Sequence, residues 1–428
     1  MATDFKTFPQ LGRSTSESRR IAQLAGETPL FEAQRWFARE RTWINEQQLQ
    51  LCRIAAPTFF EAPRAEWFNK RLEDLGWTSK IDRAGNVLAV FGSGSDQRPF
   101  VVSAHLDTVF APGRAEEVYY APDGRLHGPG SSDNGAGLAA LLAIARVISV
   151  SPDLHQLGKS ILLAANVGEE GEGNLSGMRF ICRQLEQPDR IQAFIVLDGP
   201  SIDHITVQAL ASRRYEVLFS GAGGHSWNDS GTANPVHAIS HVISSFVNAA
   251  EARCSADRRN RCSYNFGIIE GGNSINSIPS VARAKLDLRS ADPSALEELA
   301  NLLNFSVERS IERENRSART SRLTGKIKEL GSRPGGKLRE DAPLLKSIAA
   351  VDSYLNIRSR IDCASTDANV PLSLGLPAVS IGAGGQGGGA HTRDEWYQPD
   401  GRELGLRRIL LLVAALERQG AEQGEASS

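Results

Sequence analysis

The stretch VVSAHLDT, residues 101–108, is an apolar run that ends in a histidine and an aspartate. Short apolar runs of this kind are typical of buried strands. Side chains two positions apart on a strand point to the same face, so His105 and Asp107 can act together. A histidine that binds a metal usually donates its other ring N–H to a carboxylate. A single His-x-Asp pair is usually accidental, so a metal site is predicted only if later parts of the chain supply further ligands.

Carboxylates stand at the ends of the next two predicted strands. Glu169 and Glu170 follow one buried apolar run, and Asp198 follows the next. Open α/β sheets form their sites at this end of the strands, so we expect these carboxylates beside His105. Burying two neighbouring carboxylates without a cation is costly. The alternative for Glu169 and Glu170 is a solvated acidic loop.

Two further candidates lie in glycine-rich segments. Asp133 belongs to GPGSSDNGAG, residues 128–137, and is either the N-cap of the helix that follows or a metal ligand. A phosphate-binding loop is disfavoured there because no Lys-Ser/Thr pair follows. His391 belongs to GAGGQGGGAHTRDEW, residues 382–396, whose glycines let the backbone approach a ligand or let a loop move. The candidate ligands are therefore His105, Asp133, Glu170, Asp198 and His391.

The number and type of these ligands point to two metal ions. Imidazole and carboxylate together suit zinc, with cobalt or manganese as alternatives. Five protein ligands are too many for one catalytic zinc, which keeps an open position. They suit two ions about 3.5–4 Å apart that share one bridging carboxylate.

Composition limits the class of protein. The chain has 428 residues, 41% of them apolar, which is enough for a large core and two or three domains. Its net charge of −2 gives no basic excess for nucleic acid, and no apolar run approaches the ~18 residues that span a bilayer. Five scattered cysteines without a CxxC pair argue against a disulfide scaffold and fit a reducing compartment. With no apolar signal-peptide core near residue 1, we expect a cytoplasmic location.

The order of predicted elements divides the chain into four parts. Residues 1–27 are expected to form a flexible N-terminal arm, and residues 421–428 a polar tail. Strands and helices alternate in residues 28–211 and 334–420, which predicts an α/β domain with helices on both faces of a sheet. Residues 212–333 interrupt that domain with half-exposed strands and charged helices, and we expect a smaller α+β insert there.

The chain resembles the dizinc exopeptidases and deacylases typified by peptidase T, carboxypeptidase G and acetylornithine deacetylase. The segments HLDT, GPGSSDNGAG, GEEGEG, LDGP and GGGAHTRDE occur in the order found in that family. The resemblance covers nearly the whole chain after about residue 45. It implies a zinc-exopeptidase-like mixed sheet flanked by helices, with residues 212–333 as a lid and dimerisation domain, and hence a homodimer.

The resemblance also implies how the ligands divide between two zinc ions per subunit, with cobalt or manganese possible in their place. His105 and Asp198 would bind one ion, and Glu170 and His391 would bind the other. Asp133 would bridge the two.

Two more carboxylates in the resembling segments would act in catalysis. Asp107 would stand behind the metal ligands. Glu169 would be the general base that takes a proton from the water between the metals. The family also implies a cis peptide bond between Asp133 and Asn134.

The insert carries three residues with implied roles. In GAGGHSW, His225 matches the histidine of a family turn and would contribute to an oxyanion site in the partner subunit. In NSIPSVARAKLDLR, Asn276 would hydrogen-bond the substrate, and Arg289 would bind a substrate carboxylate through its planar guanidinium. The alternative for Arg289 is a surface position on a strand, paired with Asp287.

These features together predict metal-dependent hydrolysis of an amide bond in short peptides, by an exopeptidase of the di- or tripeptidase kind. Deacylation of N-acyl amino acids uses the same mechanism, so the motifs leave it open; GGHSW and HTRDEW are nearer to the peptidase-like members. A binding protein that has lost catalysis is disfavoured because Glu169 and all five ligands are present. The expected partners are the substrate and a second copy of the chain, with neither nucleic acid nor membrane.

Overall fold

The structure is a computed structural model that describes residues 16–93, 98–184, 191–256 and 262–425. The helices are α1 (Ser16–Gly26), α2 (Thr28–Arg39), α3 (Arg41–Cys52), α4 (Ala62–Asp74), α5 (Gly135–Ser149), α6 (His155–Lys159), α7 (Ser176–Gln184), α8 (Pro235–Ala256), α9 (Pro293–Ser317), α10 (Pro343–Leu355), α11 (Asn369–Ser373) and α12 (Arg402–Glu425). The strands are β1 (Trp77–Ile81), β2 (Val87–Phe91), β3 (Phe100–His105), β4 (Tyr119–Tyr120), β5 (Leu126–His127), β6 (Ile161–Asn166), β7 (Ala193–Leu197), β8 (His204–Ala209), β9 (Ala211–Ser220), β10 (Gly224–His225), β11 (Cys262–Gly271), β12 (Ser277–Ile278), β13 (Val281–Ser290), β14 (Thr324–Arg333), β15 (Gly336–Lys337), β16 (Arg360–Ala364), β17 (Ala378–Ile381), β18 (Gln386–Gly388) and β19 (Trp396–Gln398).

The chain forms two compact units. One comprises Met1–Ala209 with Gly336–Ser428, and the other comprises Leu210–Gly335. The boundaries expected for the insert, at residues 212 and 333, lie within two residues of this division. The first unit is therefore discontinuous in sequence.

The first unit is built around a mixed nine-stranded sheet. Its order is β1-β2-β6-β3-β7-β17-β8-β15, and β16 pairs with β8. The neighbours β6, β3, β7 and β17 run parallel, while β1, β2 and β15 pair antiparallel with their neighbours. The carboxyl ends of the four parallel strands therefore lie along one edge. The predicted α/β class with a mixed sheet is confirmed.

The centre of this unit is apolar on every side. β3 is buried at all of its positions, as expected of a strand covered on both faces. Helix α5, GAGLAALLAIARVIS, packs against β3 and is buried at every position except Arg146 and Ser149, which is typical of a core helix. Among the described residues no single helix is long and apolar enough to cross a membrane. One pair of helical segments, Gly135–Ser149 with Pro152–Lys159, is long and apolar enough when taken together, but is bent by 113°.

Parts of the predicted arm and tail are helical. Residues 16–26, expected within a flexible arm, form α1, because Ile21, Leu24 and Ala25 bury one face against α10 and α12. Residues 421–425, expected in a polar tail, continue α12. The rest of the predicted arm and tail, residues 1–15 and 426–428, lies outside the described residues.

The second unit is an α+β fold, as predicted. A four-stranded antiparallel sheet of order β11-β13-β9-β14 packs against α8 and α9. Buried and half-buried side chains alternate along the second half of β9, and the buried Val217 and Phe219 belong to one apolar cluster with Phe246 and Leu299. The short strands β10 and β12 form a separate antiparallel pair.

One pair of cysteines departs from the sequence expectation. Cys254 near the end of α8 and Cys262 at the start of β11 form a disulfide, eight positions apart in sequence. The cysteine spacing alone did not predict this bond, because it depends on where a helix ends and a strand begins. Cys52, Cys182 and Cys363 are free thiols.

Candidate metal centre

Three neighbouring strands deliver side chains to one edge of the first unit's sheet. His105 is the last residue of β3, and Asn166, which ends β6, stands opposite it in register. Glu169 and Glu170 follow β6, and Asp198 follows β7. His105, Glu169 and Glu170 are buried, so the acidic pair is not a solvated loop. The parallel order of these strands places all four side chains at the same end.

A turn before α5 brings Asp133 to the same place. The Asp133–Asn134 peptide bond is cis, which confirms the prediction. The side chain of Asn134 accepts a hydrogen bond from Gly137 N at 3.1 Å and donates one to Leu197 O at 2.7 Å. Asn134 is therefore the N-cap of α5, and the N-cap interpretation of Asp133 is wrong. The carboxylate of Asp133 remains available as a ligand.

The two carboxylate oxygens of Asp133 face different histidines. Oδ1 lies 3.0 Å from Nε2 of His105, and Oδ2 lies 3.2 Å from Nε2 of His391. The same nitrogen of His391 lies 2.9 Å from Oε1 of Glu170. Three sets of residues have ligand atoms within 4.8 Å of one another: His105 with Asp133 and Asp198, Asp133 with Glu170 and His391, and His105 with Glu169 and Glu170. Asp133 belongs to the first two sets, as a bridging ligand must.

The electrostatics of this cluster fit a cation. Burial and the charge of Asp133 raise the pKa of Asp198 to about 7. Hydrogen bonds to Asp133 and Glu170 raise the pKa of His391 to about 10. Two neighbouring buried carboxylates repel each other, and a cation between them would offset that repulsion. The mixture of imidazole and carboxylate donors suits zinc.

Asp107 holds the turn that carries both glutamates. Its Oδ1 accepts a hydrogen bond from Glu169 N, and its Oδ2 accepts from Glu170 N, both at 2.9 Å. Thr58 Oγ1 also donates to Oδ2, at 3.0 Å. Although burial acts to raise the pKa of Asp107, the hydrogen bond with His105, the charge of His105 and the two backbone N–H donors lower it. The carboxylate is therefore held in its charged form.

Asp107 also sets the orientation of the His105 ring. Nδ1 of His105 lies 2.9 Å from the backbone oxygen of Asp107, and 3.5 Å from its carboxylate. A carbonyl oxygen only accepts, so Nδ1 carries a proton in this arrangement. Nε2 faces Asp133 within the cluster, and its lone pair is the one that His105 would offer to a metal ion.

Glu395 is a buried residue of the site that the sequence interpretation did not assign. Its carboxylate accepts hydrogen bonds from Gly130 N, Ser132 N and Asp133 N at 2.7–2.8 Å, and from Ser132 Oγ at 2.8 Å. It thereby joins the segment that carries His391 to the turn that carries Asp133. Its place in the same glycine-rich segment as His391 was the only signal in the sequence.

A second set of supports comes from the segment before α4 and from its first turn. Arg64 is fully buried and donates to Leu106 O at 2.8 Å and to Ile54 O. Glu61 accepts a hydrogen bond from the backbone N of Gly168 at 3.1 Å. Gly168 directly precedes Glu169, the candidate for the general base. No pattern in the sequence indicates these roles, because charged residues at the start of a helix usually face solvent.

His225 and Asn276 lie together in the second unit. β10 pairs with β12, and Ser226 N donates to Asn276 O at 3.0 Å. His225 is exposed, and its Nδ1 accepts a hydrogen bond from Trp227 N at 3.2 Å. The other ring nitrogen, Nε2, therefore carries the proton of the neutral imidazole and is a donor. An oxyanion site requires such a donor.

Arg289 lies on β13 of the same unit. Its Nε donates to Asp287 Oδ2 at 2.7 Å, and Asp287 also accepts from Arg214 at 3.1 Å. The pairing given as the alternative for Arg289 is therefore present. Its role toward a substrate carboxylate stays a prediction.

Comparison with known sequences gives one family and several relatives. Residues 101–415 match the profile of the family described as Peptidase family M20/M25/M40. A succinyl-diaminopimelate desuccinylase of Ruegeria sp. (strain TM1040) is 29% identical over 228 residues, which are 50% of this chain and 56% of that protein. An acetylornithine deacetylase of Edwardsiella ictaluri (strain 93-146) is 26% identical over 326 residues, 74% of this chain and 79% of that one. The chain thus spans little more than half the length of the desuccinylase.

Comparison with solved structures shows the same fold. A tripeptidase from Staphylococcus aureus superposes with a TM-score of 0.70 at 19% identity, covering 88% of this chain and 98% of that one. An aminopeptidase from Bacillus cereus gives a TM-score of 0.66 at 18% identity, covering 87% and 98%. A dipeptidase from Saccharomyces cerevisiae gives 0.69 at 12% identity, covering 90% and 98%.

Proposed function

The chain belongs to peptidase family M20/M25/M40, and from that premise we propose that it is a metal-dependent hydrolase of the amide bond in short peptides. The observation that carries the proposal is Asp133, whose two oxygens each face the Nε2 of one histidine. The buried Glu169 stands beside this cluster. A bridging carboxylate with a neighbouring general base is the arrangement that two-metal hydrolysis needs.

The chain's own residues supply positioning and proton transfer. Bound metal ions would polarise the scissile carbonyl and lower the pKa of the attacking water. Glu169 would take the proton from that water and return it to the leaving nitrogen. Asp107 fixes the backbone of Glu169 and so sets where that carboxylate stands.

We propose two zinc ions per chain, with cobalt or manganese able to replace them. His105 and Asp198 would hold one ion, Glu170 and His391 would hold the other, and Asp133 would hold both.

Elemental analysis after reconstitution with saturating zinc should approach two metal ions per chain. The reason is the pair of ligand sets that share Asp133, each with three donor residues. Removal of the metal with a chelator should abolish hydrolysis, and its return should restore hydrolysis. A stoichiometry that never exceeds one would contradict the bridging role of Asp133.

Asp107→Asn should weaken metal binding by about 10- to 100-fold, the usual cost of losing a partner behind the ligands. An asparagine keeps the size of the side chain but turns one acceptor into a donor, which then faces a backbone N–H. The turn of Glu169 and Glu170 loses one of its hydrogen bonds. Affinity is measured by competition with a chromophoric chelator. The matched control is Asp123→Asn at a surface turn, and equal affinities in both variants would refute the role of Asp107.

Two substrate classes compete for this mechanism. We place short peptides first because GGHSW and HTRDEW resemble the peptidase-like members of the family. Removal of an acyl group from an N-acyl amino acid is the second candidate, supported by the names of the desuccinylase and deacetylase relatives. A panel of di- and tripeptides and N-acyl amino acids, each with zinc, cobalt or manganese, separates the two. Hydrolysis of neither class would favour a binding protein.

The quaternary structure belongs to the same proposal. We propose a homodimer formed through residues 212–333, as the family resemblance implies. An edge strand supports it, because β11 pairs with β13 on one side and exposes Ile268 and Ile269. Exposed apolar residues on a sheet edge are a template for pairing with another chain.

A cytoplasmic location is also proposed. The free thiols of Cys52, Cys182 and Cys363 favour a reducing compartment, whereas the disulfide between Cys254 and Cys262 counts against one. Cell fractionation with alkylation of thiols before lysis tests both points. Recovery of the protein outside the cytoplasmic fraction would overturn this part of the proposal.

A further inference from the structure

Four large apolar side chains stand exposed on two adjacent loops of the first unit. The loops are joined where Thr108 pairs with Pro57 and donates from its backbone N to Ala56 O at 3.0 Å. We call these four side chains the apolar rim; they are Phe59, Phe60, Val109 and Phe110, exposed by 64%, 71%, 43% and 40%.

The apolar rim is fastened to the metal centre by hydrogen bonds. Thr58, the residue before Phe59, donates to Asp107 Oδ2 at 3.0 Å. Glu61 accepts from Phe59 N at 3.0 Å and from Gly168 N at 3.1 Å. Its two carboxylate contacts therefore join the first loop to the turn that carries the general-base candidate. The second loop begins directly after Asp107 itself.

The backbone at Phe59 is held in an unusual conformation. Its φ is 77°, in the left-handed region that aromatic residues rarely adopt. Burial of the ring does not explain this conformation, because the side chain is largely exposed. Such backbone outliers cluster at ligand clamps, where the surroundings fix them.

The apolar rim lies only a few residues along the chain from the metal-ligand cluster, where a substrate would bind. Successive Cα atoms are 3.8 Å apart, so Phe59 and Val109 lie within a few residue lengths of Thr58 and Asp107. A substrate with its scissile amide at the ligand cluster would extend its neighbouring side chains over the same distance. Exposed apolar side chains beside a polar site mark a place where an apolar group can bind.

We propose that the apolar rim is a substrate subsite that selects peptides with a large apolar side chain next to the scissile bond. The inference rests on the proposed amide hydrolysis and adds to it the class of side chain that is preferred. A leucine or phenylalanine side chain buries its surface against Phe59, Phe60 and Phe110, whereas a glycine leaves that surface in water.

The test compares dipeptides in which leucine replaces glycine on either side of the bond. For the wild-type protein with metal, kcat/KM should be about tenfold or more higher for the better leucine dipeptide than for Gly-Gly. Phe60→Ser and Phe110→Ser should each lower that ratio severalfold. The matched control is Phe31→Ser, at a phenylalanine of α2 that is also exposed, by 49%, and it should keep the wild-type ratio. Thermal melts verify that all variants are folded.

The results distinguish a failure of the apolar-rim proposal from a failure of the proposed amide hydrolysis. A wild-type ratio near one, or a ratio unchanged in both rim variants, overturns the inference while leaving amide hydrolysis intact. If no peptide is hydrolysed, the proposed peptidase function fails. The rim is then tested by calorimetric titration with ketomethylene analogues of the same dipeptides. Tighter binding of the leucine analogue that is lost in Phe60→Ser supports the rim, and equal binding of both analogues overturns it.

Discussion

Glu169→Gln is expected to lower kcat by about 10²–10⁴-fold and to leave the metal content unchanged. Glutamine has nearly the same size as glutamate but cannot accept a proton from water. The backbone N–H of Glu169 still donates to Asp107, so the turn keeps its shape. The loss therefore falls on proton transfer. Single-turnover kinetics and elemental analysis of the same preparation measure the two quantities.

The neighbouring residue provides the matched control. Glu170→Gln should instead weaken metal binding, because Oε1 of Glu170 faces Nε2 of His391 at 2.9 Å, within one of the two ligand sets. Both variants remove one negative charge from the same turn. A simple charge effect would therefore be the same in both. Equal loss of metal from the two variants would contradict the assignment of base and ligand.

Among the site residues that the sequence predicted, those carried by strand ends follow from a local pattern. An apolar run followed by a polar side chain is a local pattern, and parallel strands bring such ends to one edge. His105, Glu169, Glu170 and Asp198 were found in this way. The order of the four parallel strands in the sheet could not be predicted from local patterns, because pairing between strands is set by long-range packing.

Glu395 and Arg64, which support the site through hydrogen bonds, could not be predicted from the sequence, and the reason is physical. Glu395 accepts backbone N–H groups from a turn more than 250 positions earlier, and Arg64 donates to carbonyl oxygens rather than to acids. These side chains bond to backbone groups, which every residue has, so no sequence pattern identifies their partners. The N-cap of α5 shows the same limit, because Asp133 and Asn134 are both good N-cap residues and only the geometry distinguishes them.

His225→Ala is expected to lower kcat by about 10²–10³-fold, the usual cost of losing one donor to an oxyanion. The hydrogen bond from Trp227 N to Nδ1 leaves Nε2 as the donor, which is the form that stabilises negative charge on an oxygen. Metal content should not change, since His225 is outside both ligand sets. His237→Ala, a change of another histidine of the same unit, is the control and should keep the wild-type kcat.

Mixing two inactive variants tests whether His225 acts on the partner subunit. If it does, a dimer of one His225→Ala chain and one Glu169→Gln chain places both defects in one site and leaves the other site intact. Random exchange of equal amounts makes half of the dimers mixed, so activity should return to about a quarter of the wild-type value. If His225 acts within its own chain, every site keeps one defect and no activity returns. A fully active monomer in analytical ultracentrifugation would also refute the trans arrangement, because it would need no second chain to complete the site.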